Sequence, residues 1–367
     1  MSNFCCTFAA AKVLNNYSNS RKMTITFTTA LPREGFKRLE EYFSKGEGVR
    51  FVHVQGDNVP CTKDWRTEWR EAEILVSTFD YRVPRGMIEA MPKLRLIANF
   101  GAGYNNIDLE TCRERGIRVT NTPQPVIEPT AELAFALMID VARRVSEFDR
   151  AVRSQLSEVS HFEGFGVMRN LSHSLYGKTL GILGMGRIGQ ALARRAIASG
   201  MKVIYHNRKP IDVQRDKVPS DQVPSTKDWR AEVIRQAEYV DFQTLLQDSD
   251  FLSLNLPYTP EVHHIIGKPE LGMMKRSAYL INTARGAHID EQALVEALRS
   301  GIIAGAAMDV YEHEPQITTE LLTMENVVLS PHTGTGTWEG RIAMCENVCD
   351  NIIAFIENNT NKMNIVL

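Results

Sequence analysis

Residues 179–189 of this chain read TLGILGMGRIG, and this stretch decides the fold. The apolar residues 179–183 predict a buried strand, and a helical period of apolar residues follows the glycines. Gly184 permits a tight turn, Gly186 lets a pyrophosphate approach the backbone, and Gly189 lets helix and strand pack closely. The N-terminus of such a helix offers unpaired peptide N–H groups to phosphates, so the stretch predicts a dinucleotide-binding βαβ unit. The predicted cofactor contacts of this turn are Gly184, Gly186, Arg187, Ile188 and Gly189.

The same alternation of apolar strand and helix continues towards the C-terminus. Strands are predicted at residues 202–205, 251–256, 278–281, 303–308 and 327–329. Helices between them are predicted at residues 241–247 and 290–300. Short apolar strands separated by helices are typical of a parallel sheet that is covered on both faces.

The N-terminal part repeats this pattern before a proline-rich break. Its strands are predicted at residues 24–28, 51–54, 73–77, 95–99 and 118–120. Pro123, Pro125 and Pro129 then interrupt the pattern, and a long apolar helix is predicted at 131–144. A last helix, about residues 339–357, has no strand of its own, so we expect it to return to the first domain.

These elements predict an α/β fold of two Rossmann-like or flavodoxin-like parallel-sheet domains. The cofactor domain is expected to be inserted into the substrate domain, with the active site in the cleft between them. A length of 367 residues agrees with two domains. The predicted boundaries are 1–22 for an N-terminal extension, 23–125 with 333–367 for the substrate-binding domain, and 126–332 for the dinucleotide-binding domain.

The composition of the chain limits the classes of function that it can have. Lys and Arg total 42 against 44 Asp and Glu, a formal charge of −2, which argues against nucleic-acid and membrane partners. Six cysteines without a C-x-x-C pair favour a reducing compartment, so we expect a cytoplasmic protein. No acidic residue precedes Glu34, a bias similar to that of a mitochondrial transit peptide, which leaves mitochondrial targeting as the alternative.

The residues after the second strand of the βαβ unit predict NADP(H) as the preferred cofactor. NAD-binding folds usually carry an acidic residue there for the ribose hydroxyls. Here Asn207 is followed by Arg208 and Lys209. A neutral residue with two cations would attract a 2′-phosphate, which Arg208 can bind with its planar fork. The alternative is a solvated Arg–Lys pair in a loop, with NAD(H) as the cofactor.

Three charged residues follow strands of the same predicted sheet and suit the reduction of a 2-keto acid. Arg285, Glu314 and His332 should converge, because open α/β sheets bind ligands at the carboxyl ends of their strands. Arg285 can bind a carboxylate with two N–H groups. An imidazole ordinarily titrates at about pH 6.5, so His332 can give a proton to the new alkoxide while Glu314 fixes the ring tautomer. The sequence thus predicts hydride transfer from a nicotinamide cofactor to a small 2-keto acid.

The chain resembles the D-isomer-specific 2-hydroxyacid dehydrogenase family in four ordered motifs. They read GKTLGILGMGRIGQ, NTARGA, DVYEHEP and SPHTG, and the resemblance covers nearly all the chain from about residue 50 onward. The short sequence segments at residues 205–208 and 320–324 are similar to those of fungal glyoxylate/hydroxypyruvate reductases. The resemblance implies glyoxylate or hydroxypyruvate as the substrate and the D-2-hydroxy acid as the product.

The same resemblance implies roles for single residues. Arg285, Glu314 and His332 would form the catalytic set, and backbone N–H groups around Ala102 and Gly103 would hold the substrate carboxylate. Members of the family are usually dimers through the cofactor domain, so a homodimer is expected. Further cofactor contacts are implied for Thr130, Thr283 and, against the nicotinamide amide, Asp309.

The sequence departs from the family pattern around the predicted ribose site. Asn207 stands where an Asp is usual, and about thirty residues, 210–240, separate it from the next predicted helix. We expect this insertion to alter the adenine-side contacts. The word TKDWR occurs at residues 62–66 and again at 226–230, and no function is predicted for it.

The remaining histidines share no metal-ligand spacing, so no metal site is predicted. His263 and His264 are adjacent, which we expect to prevent both rings from facing one site. Packing or surface exposure is the expected role of these histidines, with His206 beside the ribose position as the exception.

Two other functions stay open. Phe79, Phe100 and Tyr104 would favour a bulkier branched-chain or aromatic 2-keto acid if they line the substrate pocket. A dinucleotide-sensing corepressor, built on the same family, would retain the same residues and catalyse no reaction. A panel of keto acids assayed with both cofactors separates these hypotheses.

Overall fold

The computed structural model describes residues 23–29, 31–44, 49–53, 69–155, 167–211 and 229–367. The chain forms two compact units, residues 1–126 with 336–367 and residues 127–335. The predicted extension at 1–22, the first TKDWR word and most of the second lie outside the described residues. Across the described ranges, no helix combines the length and the apolar character that a membrane crossing requires.

The first unit contains a parallel sheet, paired among the described strands in the order β2-β1-β3-β4-β5. Its strands are β1 (Met23–Phe27), β2 (Val49–His53), β3 (Ile74–Thr78), β4 (Leu96–Phe100) and β5 (Arg118–Thr120). The helices that follow them are α1 (Lys37–Ser44), α2 (Arg85–Glu89) and α3 (Leu109–Glu114). Every residue of β3 and β4 is buried, because helices cover both faces of a parallel sheet.

The second unit contains a longer parallel sheet, paired in the order β12-β11-β10-β9-β6-β7-β8 within the described part of the chain. Its strands are β6 (Thr179–Leu183), β7 (Lys202–His206), β8 (Ala237–Tyr239), β9 (Phe251–Leu254), β10 (Tyr279–Asn282), β11 (Gly305–Met308) and β12 (Val327–Leu329). Its helices are α4 (Ile127–Arg143), α5 (Val145–Gln155), α6 (Arg187–Ala198), α7 (Trp229–Gln236), α8 (Phe242–Asp248), α9 (Lys268–Met273) and α10 (Glu291–Arg299).

The last helix, α11 (Trp338–Ile356), belongs to the first unit and packs against β4. The chain therefore leaves the first unit once and returns to it. The predicted fold class, two parallel-sheet α/β domains, is confirmed. The junctions fall after residues 126 and 335.

The order of the second sheet reverses between β6 and β9. From β6 the chain runs outward through β7 and β8, then returns to β9 and continues to β12 at the other edge. Ligands of open α/β sheets bind outside the carboxyl ends of the strands at this kind of reversal. The glycine-rich turn after β6 lies at this position.

Local signals explain where the helices of this unit begin. The side chain of Asp241 accepts the peptide N–H of Thr244 at the start of α8, and Asp290 accepts that of Ala293 at the start of α10. Such caps satisfy peptide N–H groups that have no partner inside the helix. The first turn of α6 has no side-chain cap, because Gly186 stands at its N-cap position.

The predicted C-terminal end of the insertion after Asn207, at residue 240, was wrong. Helix α7 begins at Trp229 and β8 follows directly, so residues 229–239 form a helix and an edge strand of the sheet rather than a loop. The strand escaped prediction because it is a three-residue edge strand with two exposed residues, which leaves no apolar run to detect. Helix α5 was also missed, since its residues are largely polar.

Candidate active site

The turn after β6 has the backbone geometry that the glycines predict. Gly184 has a φ of +99°, and a Cβ built there would lie 2.8 Å from the carbonyl oxygen of Asn255. A Cβ on Gly189 would lie 2.6 Å from the carbonyl oxygen of Gly184, so helix α6 packs directly on the turn. A Cβ on Gly186 would meet nothing within 4 Å, and the space above this residue is therefore open.

These features fit a dinucleotide pyrophosphate. Gly186 leaves room beside the backbone, and as the N-cap residue it has no side chain that could cap the first turn of α6. At the end of β10, the buried Thr283 Oγ1 lacks a hydrogen-bond partner among the described residues, a polar atom that a ligand could satisfy.

Asn207, at the end of β7, is tied to the glycine-rich turn. Its side-chain oxygen accepts the peptide N–H of Met185 at 2.8 Å, and the Tyr239 hydroxyl donates to its carbonyl oxygen at 3.3 Å. Arg208 and Lys209 follow on the exposed surface. The neutral side chain and both cations are thus grouped at the carboxyl end of β7, next to the turn.

Arg285 follows β10 on a turn that Asn282 holds. The Asn282 side chain donates to the Arg285 carbonyl at 2.9 Å and accepts the Ala284 peptide N–H at 3.0 Å. Burial lowers the pKa of the Arg285 guanidinium and the charge of Glu314 opposes this shift, but an arginine remains a cation at neutral pH. Gly286 packs beneath Tyr311, where a Cβ would lie 1.9 Å from a backbone carbon.

Glu314 and His332 form a direct pair. His332 Nδ1 lies 2.8 Å from Glu314 Oε2, and the other carboxylate oxygen accepts the Tyr311 peptide N–H at 2.9 Å. Burial alone would raise the pKa of Glu314, but the hydrogen bond and charge of His332, with smaller effects of the Tyr311 N–H and of Arg285, lower it. About a third of each side chain of the pair is exposed, so a substrate can reach the ring.

Asp309 shapes the loop that carries His332. Its buried carboxylate accepts hydrogen bonds from the Ser330 hydroxyl at 2.6 Å and from the peptide N–H groups of Thr333 and Gly334 at 2.8 and 2.9 Å. His332 itself has a φ of +53°, an uncommon backbone conformation for a non-glycine residue. The Asp309 bonds hold this conformation and explain why residues 333–335 belong to the second unit.

The first unit carries the predicted carboxylate-binding turn after β4. The side chain of Asn99 donates to the Gly103 carbonyl at 2.8 Å, and that of Asn121 donates to the Ala102 carbonyl at 2.8 Å. Both bonds use carbonyl oxygens, so they leave the peptide N–H groups of the turn for other partners.

The aromatic residues that would favour a bulky substrate are partly covered. Phe100 is 2% exposed, and the guanidinium of Arg341 lies 5.6 Å from its ring centroid and 5.1 Å from that of Phe79. Tyr104 is exposed. Phe100 therefore packs in the core of the first unit under a cation.

Two features of the second unit do not follow from the sequence pattern. His288 is fully buried three residues after Arg285. The expectation that His263 and His264 cannot face one site was wrong, because their rings stack at 4.0 Å and His264 Nε2 lies 2.6 Å from Glu312 Oε1. A His in place of an apolar residue within a buried segment was the only sequence signal for His288.

The chain is similar to known proteins over most of its length. A family model described as "D-isomer specific 2-hydroxyacid dehydrogenase, NAD binding domain" matches residues 135–334. The chain is 44% identical over 338 residues to a glyoxylate reductase of Thermococcus litoralis, a match that covers 91% of this chain and 94% of that protein.

Two solved structures are similar over most of the chain. A glyoxylate reductase from Paecilomyes thermophila has a TM-score of 0.74 and 34% identity, covering 92% of this chain and 96% of its own. An NADPH-dependent glyoxylate/hydroxypyruvate reductase from Sinorhizobium meliloti, in complex with NADP and malonate, has a TM-score of 0.73 and 28% identity, covering 92% of this chain and 94% of its own.

Proposed function

The chain belongs to the D-isomer specific 2-hydroxyacid dehydrogenase family, and we propose that it reduces glyoxylate or hydroxypyruvate to the D-2-hydroxy acid with NADPH. The observation that carries the proposal is the His332–Glu314 pair, 2.8 Å apart, in the unit that also holds Arg285 and the glycine-rich turn. The relatives described as glyoxylate reductases support the choice of substrate.

Arg285 is the proposed substrate-binding cation. Its planar guanidinium can bind the carboxylate through two N–H groups and also polarise the keto oxygen. Partial burial strengthens these bonds, because the surroundings screen charge less than water does. We assign the peptide N–H groups of Ala102 and Gly103 a role in binding a substrate carboxylate.

His332 is the proposed proton donor. A bound, reduced nicotinamide dinucleotide supplies the hydride. Glu314 engages Nδ1 of the ring, and we assign His332 Nε2 as the atom that gives its proton to the oxygen of the reduced carbonyl. The ionised Glu314 stabilises the imidazolium of His332 before the proton is transferred. Afterwards it holds the neutral ring in the tautomer that has its proton on Nδ1. In the reverse direction, neutral His332 takes the proton back from the hydroxy acid.

The proposed preference for NADPH rests on the end of β7. The Asn207 oxygen is used by the Met185 N–H, so the amide nitrogen of Asn207 supplies donors where an aspartate would supply a second negative oxygen. Arg208 and Lys209 add two exposed cations. Thr130, Thr283 and Asp309 are assigned the remaining cofactor contacts, Asp309 in addition to its bonds within the His332 loop.

A homodimer formed through the second unit is part of the proposal. Within the described residues 145–155 and 167–171, Val145, Met168 and Leu171 are 53, 79 and 61% exposed. Exposed apolar side chains of this kind are buried in the partner when they belong to a subunit interface. Size-exclusion chromatography with light scattering should therefore report twice the chain mass of 41.4 kDa.

The proposal is tested with a panel of 2-keto acids assayed with NADPH and with NADH. We expect the highest kcat/KM for glyoxylate or hydroxypyruvate with NADPH. Higher values for branched-chain or aromatic keto acids would select the bulkier substrate class. Tight dinucleotide binding without turnover on any substrate would replace the enzyme by a dinucleotide sensor.

A further inference from the structure

We propose that His263, His264 and Glu312 form a Zn²⁺-binding site in the second unit. One ligand atom from each of these side chains lies within 4.8 Å of the other two. None of the three residues belongs to the proposed catalytic set, so the metal site and the reductase activity can be tested independently of each other.

The backbone brings the two adjacent rings to the same side. Successive side chains of an extended segment point in opposite directions, but His264 has a φ of +50°, in the left-handed region. Its ring consequently stacks on that of His263, with centroids 4.0 Å apart and planes at 19°. The His264 peptide N–H donates to the Ala287 carbonyl at 2.9 Å, which connects this segment to the 3-10 helix at residues 286–288, directly after Arg285.

Glu312 reaches the rings from a separate loop after β11. Its Oε1 lies 2.6 Å from His264 Nε2, and its peptide N–H donates to Glu291 Oε1 at 2.8 Å. Glu291 is itself 2% exposed, so the backbone of Glu312 is anchored to a buried carboxylate. The third ligand is therefore held in place without a metal.

The donor set selects the class of ion. Two imidazole nitrogens and one carboxylate oxygen suit Zn²⁺, whereas Mg²⁺ and Ca²⁺ prefer oxygen ligands alone. Three protein ligands leave the fourth tetrahedral position to water. Zn–N bonds of about 2.0–2.1 Å require ligand atoms closer than 4.8 Å, and rotation of the exposed His263 side chain would close that gap.

Neighbouring groups agree with a metal at this position. The ion would take the place of the hydrogen bond between His264 and Glu312. The Tyr258 hydroxyl lies 3.4 Å from His263 Nδ1, which leaves Nε2 as the ligand atom.

The test is calorimetric titration of the tag-free, chelator-treated full chain with ZnCl₂. We expect one Zn²⁺ per chain, with affinity at least about tenfold weaker in His263→Ala and in Glu312→Gln. His313→Ala is the matched control, because it removes an exposed imidazole from the same loop and should leave the affinity unchanged. His332→Gln should also retain the site, which separates it from the His332–Glu314 pair.

Thermal unfolding provides a second readout. Zn²⁺ should raise the Tm of the wild type and of His313→Ala, and should leave that of His263→Ala unchanged, because a ligand stabilises only the state that binds it. Equal Zn²⁺ affinity in wild type and His263→Ala, or a wild type that binds no Zn²⁺, would overturn the proposal.

Discussion

The side-chain oxygen of Asn207 accepts a hydrogen bond of 2.8 Å from the peptide N–H of Met185, inside the glycine-rich turn. An aspartate at residue 207 could accept the same bond, so the difference between the two side chains lies in the second polar atom. Asparagine has an N–H₂ donor there and aspartate has a negatively charged oxygen. This atom is the one that we expect to distinguish a 2′-phosphate from a 2′-hydroxyl.

Replacing Asn207 by Asp should therefore reverse the cofactor preference. The variant keeps the Met185 bond but places a negative charge beside the expected 2′-phosphate. We expect kcat/KM for NADPH to fall at least about tenfold, about 1.4 kcal/mol, while the value for NADH stays the same or rises. Steady-state kinetics with both cofactors checks this. An unchanged NADPH/NADH ratio would contradict the assignment of this site.

Arg208→Gln should weaken NADPH alone. A charge-assisted hydrogen bond contributes about 1.5–3 kcal/mol, so kcat/KM for NADPH should fall by about ten- to a hundredfold. The value for NADH should not change. Arg299→Gln, which removes an exposed arginine at the end of α10, is the matched control and should affect neither cofactor.

Two glycines of the turn should separate cofactor binding from stability. A Cβ at Gly186 meets nothing within 4 Å, so Gly186→Ala should fold with stability within about 1 kcal/mol of the wild type but lose dinucleotide affinity. A Cβ at Gly189 lies 2.6 Å from a backbone oxygen, so Gly189→Ala should also lose about 1–3 kcal/mol of stability. Urea unfolding and cofactor fluorescence titration measure the two effects. Normal NADPH affinity in Gly186→Ala would refute the pyrophosphate position.

Glu314→Gln should change the pH dependence of reduction. The lowered pKa of Glu314 keeps the carboxylate charged wherever an imidazole titrates, so it stabilises protonated His332 throughout that range. Without this charge, we expect reduction to be lost at a lower pH than in the wild type. A pH profile that is the same in Glu314→Gln and wild type would rule out this role of Glu314.

His332→Gln should lower kcat at least about a hundredfold at neutral pH while cofactor affinity is retained.

His288 should make the second unit sensitive to acid. Burial, and then the charge of Arg285, lower the pKa of His288 from 6.5 to about 4, so the unfolded chain binds the proton more strongly. The free energy of unfolding therefore starts to decrease as the pH falls through about 6.5, and it decreases further until the pH reaches about 4. Between pH 7 and pH 5 this group should account for about 2 kcal/mol.

His288→Leu cannot bind this proton and should lose about 2 kcal/mol less than the wild type between pH 7 and pH 5. His313→Ala, which removes an exposed ring, should behave as the wild type does. Urea unfolding at both pH values makes the comparison. Equal acid sensitivity in wild type and His288→Leu would show that His288 is not the responsible group.

The sequence by itself determined the features that local patterns encode. Strands β6 and β12 run over the predicted residues, and Arg285, Glu314 and His332 follow strands as expected. Apolar periods and glycines at turns act within a few residues, because they reflect backbone sterics and the burial of one face.

Only the tertiary structure decided how distant residues meet. Asp309 bonds to the loop of His332, and Glu312 meets His264 from 48 residues away. These contacts depend on which strands are neighbours in the sheet and on single left-handed residues such as His264. No local pattern reports either one, because both follow from packing energies summed over the whole unit.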